Sequence, residues 1–202
     1  MPEKEKETKT IELPEPKTKG ALSLEECIQK RRSRRNFISD PLSLEQISQL
    51  LWSMQGITEP ERGFRAAPSA GALYPLEIYV LKSDGVFHYT PEGHILESLG
   101  KEDLRKNLGS AALGQTFIAH APVNFVICAV LDRVTSRYRE RGIMYAHIEV
   151  GHAAQNLHLQ AVALGLDSVP VGAFREEAVS ETLSLPVDHK PLYIIPVGRS
   201  GR

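Results

Sequence analysis

The chain has 202 residues, a formal net charge of -1, 42% hydrophobic residues and 24% charged residues. That length suits one domain with a substantial core, and the balanced charge, with a pI near 6.7, excludes a global pull toward nucleic acid or an anionic membrane surface. Two widely separated cysteines, Cys27 and Cys128, fit neither a disulfide framework nor a zinc site and point to a reducing, cytoplasmic setting.

In chain order, residues 1–20 are rich in Lys, Glu, Thr and Pro and are expected to form a disordered tail, with a single folded domain over 21–202. Ser23-Leu-Glu-Glu26 and Ser43-Leu-Glu-Gln46 have capping-box form and predict helices over 24–33 and 44–55, the second stopped by Gly56. Pro75 to Leu81 reads as a buried strand, and Ser83-Asp-Gly85 turns it into a partner beginning at Val86. Residues 101–118 are expected to be helical. Val123 to Leu131 is the most apolar and β-branched run and predicts a central strand; its polar Asn124 and short length rule out a membrane span. A long helix is expected over 139–164, thin at Gly151, Ala153 and Ala154. A short extended segment over 168–172, a helix over 175–183 and a last strand over 192–197 complete the order. No GxGxxG follows a strand, so an α+β sandwich is expected in place of a Rossmann domain.

Three stretches carry chemistry. Arg31-Arg-Ser-Arg-Arg-Asn-Phe37 packs four arginines and a serine into its first five positions. It can be a solvated basic helix end that complements the dipole, a set of guanidinium forks and a hydroxyl for one phosphate, or a nucleic-acid patch that nothing else in the chain extends. Ala67 to Pro75, APSAGALYP, is a stiff loop of small residues before a strand; it is either an ordinary tight turn or a backbone surface for a flat ligand. Leu164 to Phe174 puts Gly172 after a strand-like run and offers bare backbone N–H groups.

Together and in this order, RRSRRNF, PLSLEQISQLLW, APSAGALYPLEIYV, EVGHAAQNLHLQAVALGL, VPVGAF and PLYIIPVG resemble the nitroreductase family of FMN enzymes, and within it the SagB-type dehydrogenase branch, from about Leu22 to Gly198. The resemblance implies a three-layer sandwich with a central, mostly antiparallel sheet flanked by helices, and an obligate homodimer with FMN at the subunit interface. It implies that Arg31 and Ser33 hold the phosphate and ribityl chain, that Arg32 lines the same pocket, and that Arg35 faces the pyrimidine side of the flavin. Pro68, Ser69, Ala70, Gly71 and Ala72 would cover part of the cofactor from the partner subunit. Val171 and Gly172 would present backbone near the reactive ring edge, and Arg199, or else Arg202, would add a cation for the phosphate. The Asn and Gln common in the family's loop are replaced by Ala72 and Tyr74.

Because a flavin carries the redox chemistry itself, no catalytic side chain is required, and Tyr74 is the one candidate for proton transfer. The implied reaction is NAD(P)H-dependent reduction of nitroaromatic or quinone-like small molecules. The alternative is azoline-to-azole oxidation in a peptide, and a reading from another class is nucleic-acid binding through the basic patch. His147, His152 and His158 lie at spacings that do not align on one helical face, so no metal site is expected. His152 and Gln155-Asn156 are expected to satisfy buried polar groups, and Trp52 to be core.

Overall fold

The computed structural model describes residues 9–201. Two helices open the fold, α1 over Leu24–Lys30 and α2 over Leu44–Gln55, each started by the capping box its sequence predicts. The first is shorter than expected. Arg31 leaves the helix at φ -56°, ψ 122°, because the arginines are drawn into tertiary pairing: Ser33 forms a parallel bridge with Ser168, and Arg34 N donates to the Ser168 carbonyl at 3.2 Å. RRSRR is therefore extended chain beyond the helix end, not its last turn.

The sheet contains β1 (Thr10–Glu12), β4 (Leu76–Lys82), β5 (Gly85–Thr90), β6 (Ile95–Gly100), β7 (Val123–Val130), β8 (Asp167–Ser168) and β9 (His189–Gly198). Their order is β1-β6-β5-β4-β7-β9-β8, antiparallel at every paired strand. A separate hairpin joins β2 (Ile57–Glu59) to β3 (Phe64–Arg65). Central β7 is buried at every position because both of its faces are covered. Phe125, Ile127 and Ala129 enter a core with Leu50, Leu51, Met54, Ala153 and Leu157; Val126 and Cys128 point the other way, toward Leu108, Ile118 and Val179. Such alternation across a doubly covered sheet makes helix–sheet–helix layers.

The remaining helices are α3 (Arg105–Ala111), α4 (Thr116–His120), α5 (Asp132–Tyr138), α6 (Arg141–Ala163) and α7 (Glu176–Leu183). The segment expected as one helix over 101–118 is split, since Leu113 and Gly114 turn with positive φ. The long helix begins two residues late for a similar reason: Arg139, at φ 54°, makes the corner between α5 and α6. There Gly142 lets α6 approach closely, as a Cβ would stand 2.7 Å from the Val134 carbonyl carbon. Ala153 and Ala154 are buried as expected, but Gly151 is exposed with open space around it.

Residues 9–20 depart from the expected tail. Thr10–Glu12 pairs with β6, Leu13 is buried, and Lys17 exchanges hydrogen bonds with Gln49 through its N–H (2.7 Å) and carbonyl (3.0 Å). Ile11 and Leu13 supply the apolar contacts that a tail reading overlooks. Residues 1–8 of that tail, and Arg202, lie outside the described residues. Among the described residues no helix is long and apolar enough to cross a membrane.

Candidate active site

α6 organises two neighbourhoods, one at each end. Near its C-terminal end, His158 is only 5% exposed, and its Nδ1 lies 2.7 Å from Ser168 Oγ. Burial, with a smaller effect from the Arg31 charge, pushes His158 down to about 4, so the ring is neutral. Ser168 is bridged to Ser33, which fixes the RRSRR strand over this histidine. On the far side the chain end closes the same edge: Ile38 N donates to the Arg199 carbonyl at 2.9 Å, Gly201 N to the Asn36 carbonyl at 3.0 Å, and Phe37 bridges Ser200.

Among the described residues, none of Arg31, Arg32, Arg34, Arg35 and Arg199 has a carboxylate within salt-bridge distance. Arg31 is half-buried, while Arg32, Ser33, Arg35 and Arg199 are exposed. Arg32 is partly occupied, since its Nη1 donates to the Gln29 carbonyl at 3.1 Å and to that of Arg31 at 2.6 Å. The Arg35 guanidinium stands over the Phe117 ring at 5.8 Å. Next to them Val171 is pinned to Ile194 by two backbone hydrogen bonds (2.8 and 3.0 Å), which leaves Gly172 exposed; a Cβ there would find only Tyr193, at 3.7 Å. RRSRR, Val171-Gly172 and Arg199 thus converge on one edge.

The loop over 67–75 does not join them within the chain. It packs at the other end of α6, where Gly71 approaches Arg137 and Tyr138 of α5. Gly71, Ala72 and Tyr74 all have positive φ (62°, 53° and 44°), a conformation that costs free energy at the two non-glycine residues and persists only where surroundings enforce it. The enforcing contacts form a chain of hydrogen bonds that runs from the loop to a buried carboxylate. Tyr74 N donates to Ser69 Oγ at 2.9 Å. Gln55 Nε2 donates to Glu149 Oε1 at 3.5 Å, Arg65 Nη1 to Gln55 Oε1 at 3.3 Å, and Arg65 N to the Tyr74 hydroxyl at 3.1 Å. The Arg65 guanidinium also covers the Tyr74 ring at 4.7 Å, and Arg133 Nη1 holds the Tyr74 carbonyl at 3.1 Å. Glu149 is 2% exposed, and burial raises its carboxyl to about 7 against the donors that oppose the rise.

Several residues here escaped the sequence reading. Glu149 belongs to the helical series Ala146, Glu149, Val150, Ala153, which is buried throughout; a carboxylate in phase with apolar positions was the available signal. His158 is in phase with Ala154 and Ala161, both buried, whereas His152 and Gln155 prove exposed. Of the polar residues expected to work inside, Asn156 does so, with Nδ2 3.5 Å from the Ala66 carbonyl. Trp52 is half-buried, lining a cavity of about 740 Å³ between α2, α6 and residues 17–24.

Comparison with known proteins identifies the family. The nitroreductase family profile matches residues 28–199. A protein of Methanocaldococcus jannaschii assigned to the nitroreductases is 44% identical over 199 residues, which span 96% of this chain and 98% of that one. The Microcin B17-processing protein McbC of Escherichia coli is 28% identical over 160 residues, 71% of this chain but 57% of its own length. A crystal structure of a nitroreductase-type protein from Ralstonia eutropha superposes with a TM-score of 0.88 at 31% identity, covering 96% of this chain and 90% of that one. The chain belongs to the nitroreductase family of FMN-dependent oxidoreductases.

Proposed function

We propose that the chain works as a homodimer that binds FMN between subunits and uses NAD(P)H to reduce nitroaromatic or quinone-like small molecules. The single observation that carries the cofactor site is the row of guanidiniums without carboxylates, beside the Ser33 hydroxyl and the bare Gly172 backbone. Its donor set fits a dianionic phosphate, which offers the charge those arginines lack. In this reading Arg31 and Ser33 take the phosphate and ribityl chain, with Arg199 as a further cation. Arg32 contributes less, since two carbonyls at the end of α1 already engage it. Arg35 serves the pyrimidine side, and Val171-Gly172 bring backbone to the ring edge. Bound FMN supplies the hydride chemistry; the chain's own residues bind it, orient it and keep water from it.

The exposed face of α6 supports the dimer. Glu149 and His158 are nine residues apart, or about 14 Å along a helix, so one chain's loop over 67–75 sits away from its own arginines. Ile143, Met144, His147, Ile148, Gly151, His152 and Gln155 form an exposed stripe along α6, apolar enough at Ile143, Met144 and Ile148 to favour burial. Two such stripes packed antiparallel about a two-fold axis set each loop against the partner's arginines. Pro68, Ser69, Ala70, Gly71 and Ala72 then cover the cofactor from across the interface. A single flavin-binding domain that takes in β1, and a cytoplasmic location, complete the proposal.

Purified protein should be yellow and release FMN, not FAD, on denaturation. Under anaerobic conditions NADH or NADPH should bleach the flavin absorbance, and a nitroaromatic or quinone should restore it. Colourless protein that cannot be reconstituted with FMN, and that retains DNA or RNA in a salt-sensitive way, would transfer the arginines to nucleic-acid binding.

A second reading, azoline-to-azole oxidation of a peptide, draws support from the likeness to a Microcin B17-processing protein. It needs a base near the substrate, and Tyr74 is the candidate. The Tyr74 hydroxyl accepts from Arg65 N and its ring lies under the Arg65 guanidinium, engagements that suit a structural part, so the first reading is preferred. Reduction of the flavin by a thiazoline peptide but by neither nicotinamide would reverse that preference.

A further inference from the structure

NADH and NADPH differ by one phosphate, remote from the ring that gives up hydride, and one corner of the molecule has the chemistry to read it. Where α5 turns into α6, residues 137–141 are RYRER, three arginines against one glutamate. Among the described residues, none of Arg137, Arg139 and Arg141 has a carboxylate within salt-bridge distance. We infer, on the reductase reading above, that Arg137 and Arg141, with the rings of Tyr138 and Tyr145, bind the adenosine 2′-phosphate end of the nicotinamide donor, so that the enzyme takes NADPH in preference to NADH.

Arg139 builds the corner. Its φ of 54° ends α5 and turns the chain back, so that Tyr138 of α5 and Tyr145 of α6 meet edge to face, with ring centroids 5.2 Å apart and planes at 85°. A guanidinium lies over each ring, Arg137 at 5.5 Å from the Tyr138 centroid and Arg141 at 5.7 Å from that of Tyr145. Arg141 Nε also donates to the Tyr145 hydroxyl at 2.9 Å, one turn along α6. The half-buried rings thus hold two exposed guanidinium forks in fixed places. Their charge calls for an anion. Arg137 suits the last turn of α5, but Arg141 opens α6, whose first turn has no acidic residue; a helix N-terminus favours negative charge, so a cation there is unfavourable until an anion joins it. Planar guanidiniums match phosphate oxygens in pairs, aromatic and guanidinium faces accept a flat base by stacking, and an arginine accommodates the 2′-phosphate in other dinucleotide sites. The corner also lies against the loop over 67–75, since a Cβ on Gly71 would stand 2.7 Å from the Tyr138 hydroxyl oxygen and 3.0 Å from Arg137 Nη1. With that loop over the partner's cofactor, a dinucleotide laid from the flavin across the loop ends at these arginines.

Steady-state turnover of the FMN-loaded full chain with a quinone acceptor should give a kcat/KM about tenfold or more higher for NADPH than for NADH, the worth of one charge-assisted bond to phosphate. Arg137→Gln and Arg141→Gln should each lower that preference by about tenfold, through the KM for NADPH and not through kcat, as expected for a contact made equally in the ground and transition states. Equilibrium dialysis of the same FMN-loaded protein reads the site without turnover: adenosine 2′,5′-bisphosphate should bind about tenfold or more tightly than adenosine 5′-monophosphate, and the margin should shrink in both variants. Equal kcat/KM for the two nicotinamides, a wild-type preference in both variants, or equal binding of the two adenosine nucleotides would each overturn the assignment. Loss of FMN or of the dimer in either variant would overturn it too, by making the corner part of the flavin site or of the interface. Failure of both nicotinamides to reduce the flavin would overturn the reductase reading; the 2′-phosphate site would then be upheld by the bisphosphate's margin and overturned by its absence.

Discussion

The two ends of α6 are built on opposite principles. At the His158 end, cations with no carboxylate partner among the described residues stand around a neutral, buried histidine; at the Glu149 end, Gln55, Arg65, Tyr74 and Ser69 link in a chain of hydrogen bonds that starts at a buried carboxylate. Such a cation row is complete only with an anion, whereas a chain of hydrogen bonds among the protein's own groups needs no ligand and serves to hold a shape. One end recognises, the other presents, and the two-fold axis proposed between subunits brings them together.

The largest expected effect comes from removing that axis. Ile148→Glu puts a charge at the middle of the exposed α6 stripe, where Ile148 is 47% exposed. The variant should sediment as a monomer and lose FMN during purification, a drop of about a hundredfold or more in affinity, because a loop and an arginine row on one chain cannot both reach one cofactor. A monomeric variant with wild-type FMN affinity would break the comparison at once.

Arg31→Ala tests the recognising end alone. It should cost about 1.5 to 3 kcal/mol of FMN binding, the worth of a charge-assisted hydrogen bond to phosphate, or roughly tenfold to a hundredfold in affinity by equilibrium dialysis. The dimer should be unaffected.

At the presenting end, Glu149→Gln should alter how stability depends on pH. The folded carboxyl titrates near 7 and its ordinary value is 4.5, so the native state keeps a proton that the unfolded chain has already lost. Stability therefore falls as pH rises through this window. Denaturant melts should show the wild type losing of order 2 kcal/mol between pH 5 and pH 8 relative to Glu149→Gln, for an effect of up to 1.36 kcal/mol per pH unit. Parallel curves would mean that Glu149 is ionised at all these pH values.

The smallest effect is that of Tyr74→Phe, which removes the hydroxyl accepting the Arg65 N–H. It should cost about 1 kcal/mol of stability and leave nicotinamide-dependent turnover unchanged. A large loss of turnover on a thiazoline peptide would instead mark Tyr74 as the base of the second reading.

Much of the fold was legible because its signals are local. The capping boxes at Ser23 and Ser43, the period of α2 and the apolar run of β7 each place an element without reference to the rest of the chain. What was hidden depends on distant partners. Arg31 leaves α1 because Ser168 is there to pair with its neighbours, and residues 10–13 order because β6 offers an edge. The corner at Arg139 follows from a backbone conformation that its residue type does not advertise. In the candidate site, the arginine row and the small-residue loop are contiguous in sequence and could be recognised from it. The Glu149 network draws one residue each from α2, β3 and α6 and two from the loop, so no stretch of sequence carries it.

The central claim, that the arginine edge exists to hold the phosphate of a flavin, is tested most directly by titrating the apoprotein with FMN and with riboflavin under the same conditions. The phosphate is the only difference between the two ligands. The account predicts that FMN binds at least about a hundredfold more tightly, since more than one charge-assisted bond is lost with the phosphate. Equal affinity for FMN and riboflavin, with the fold intact, would contradict it.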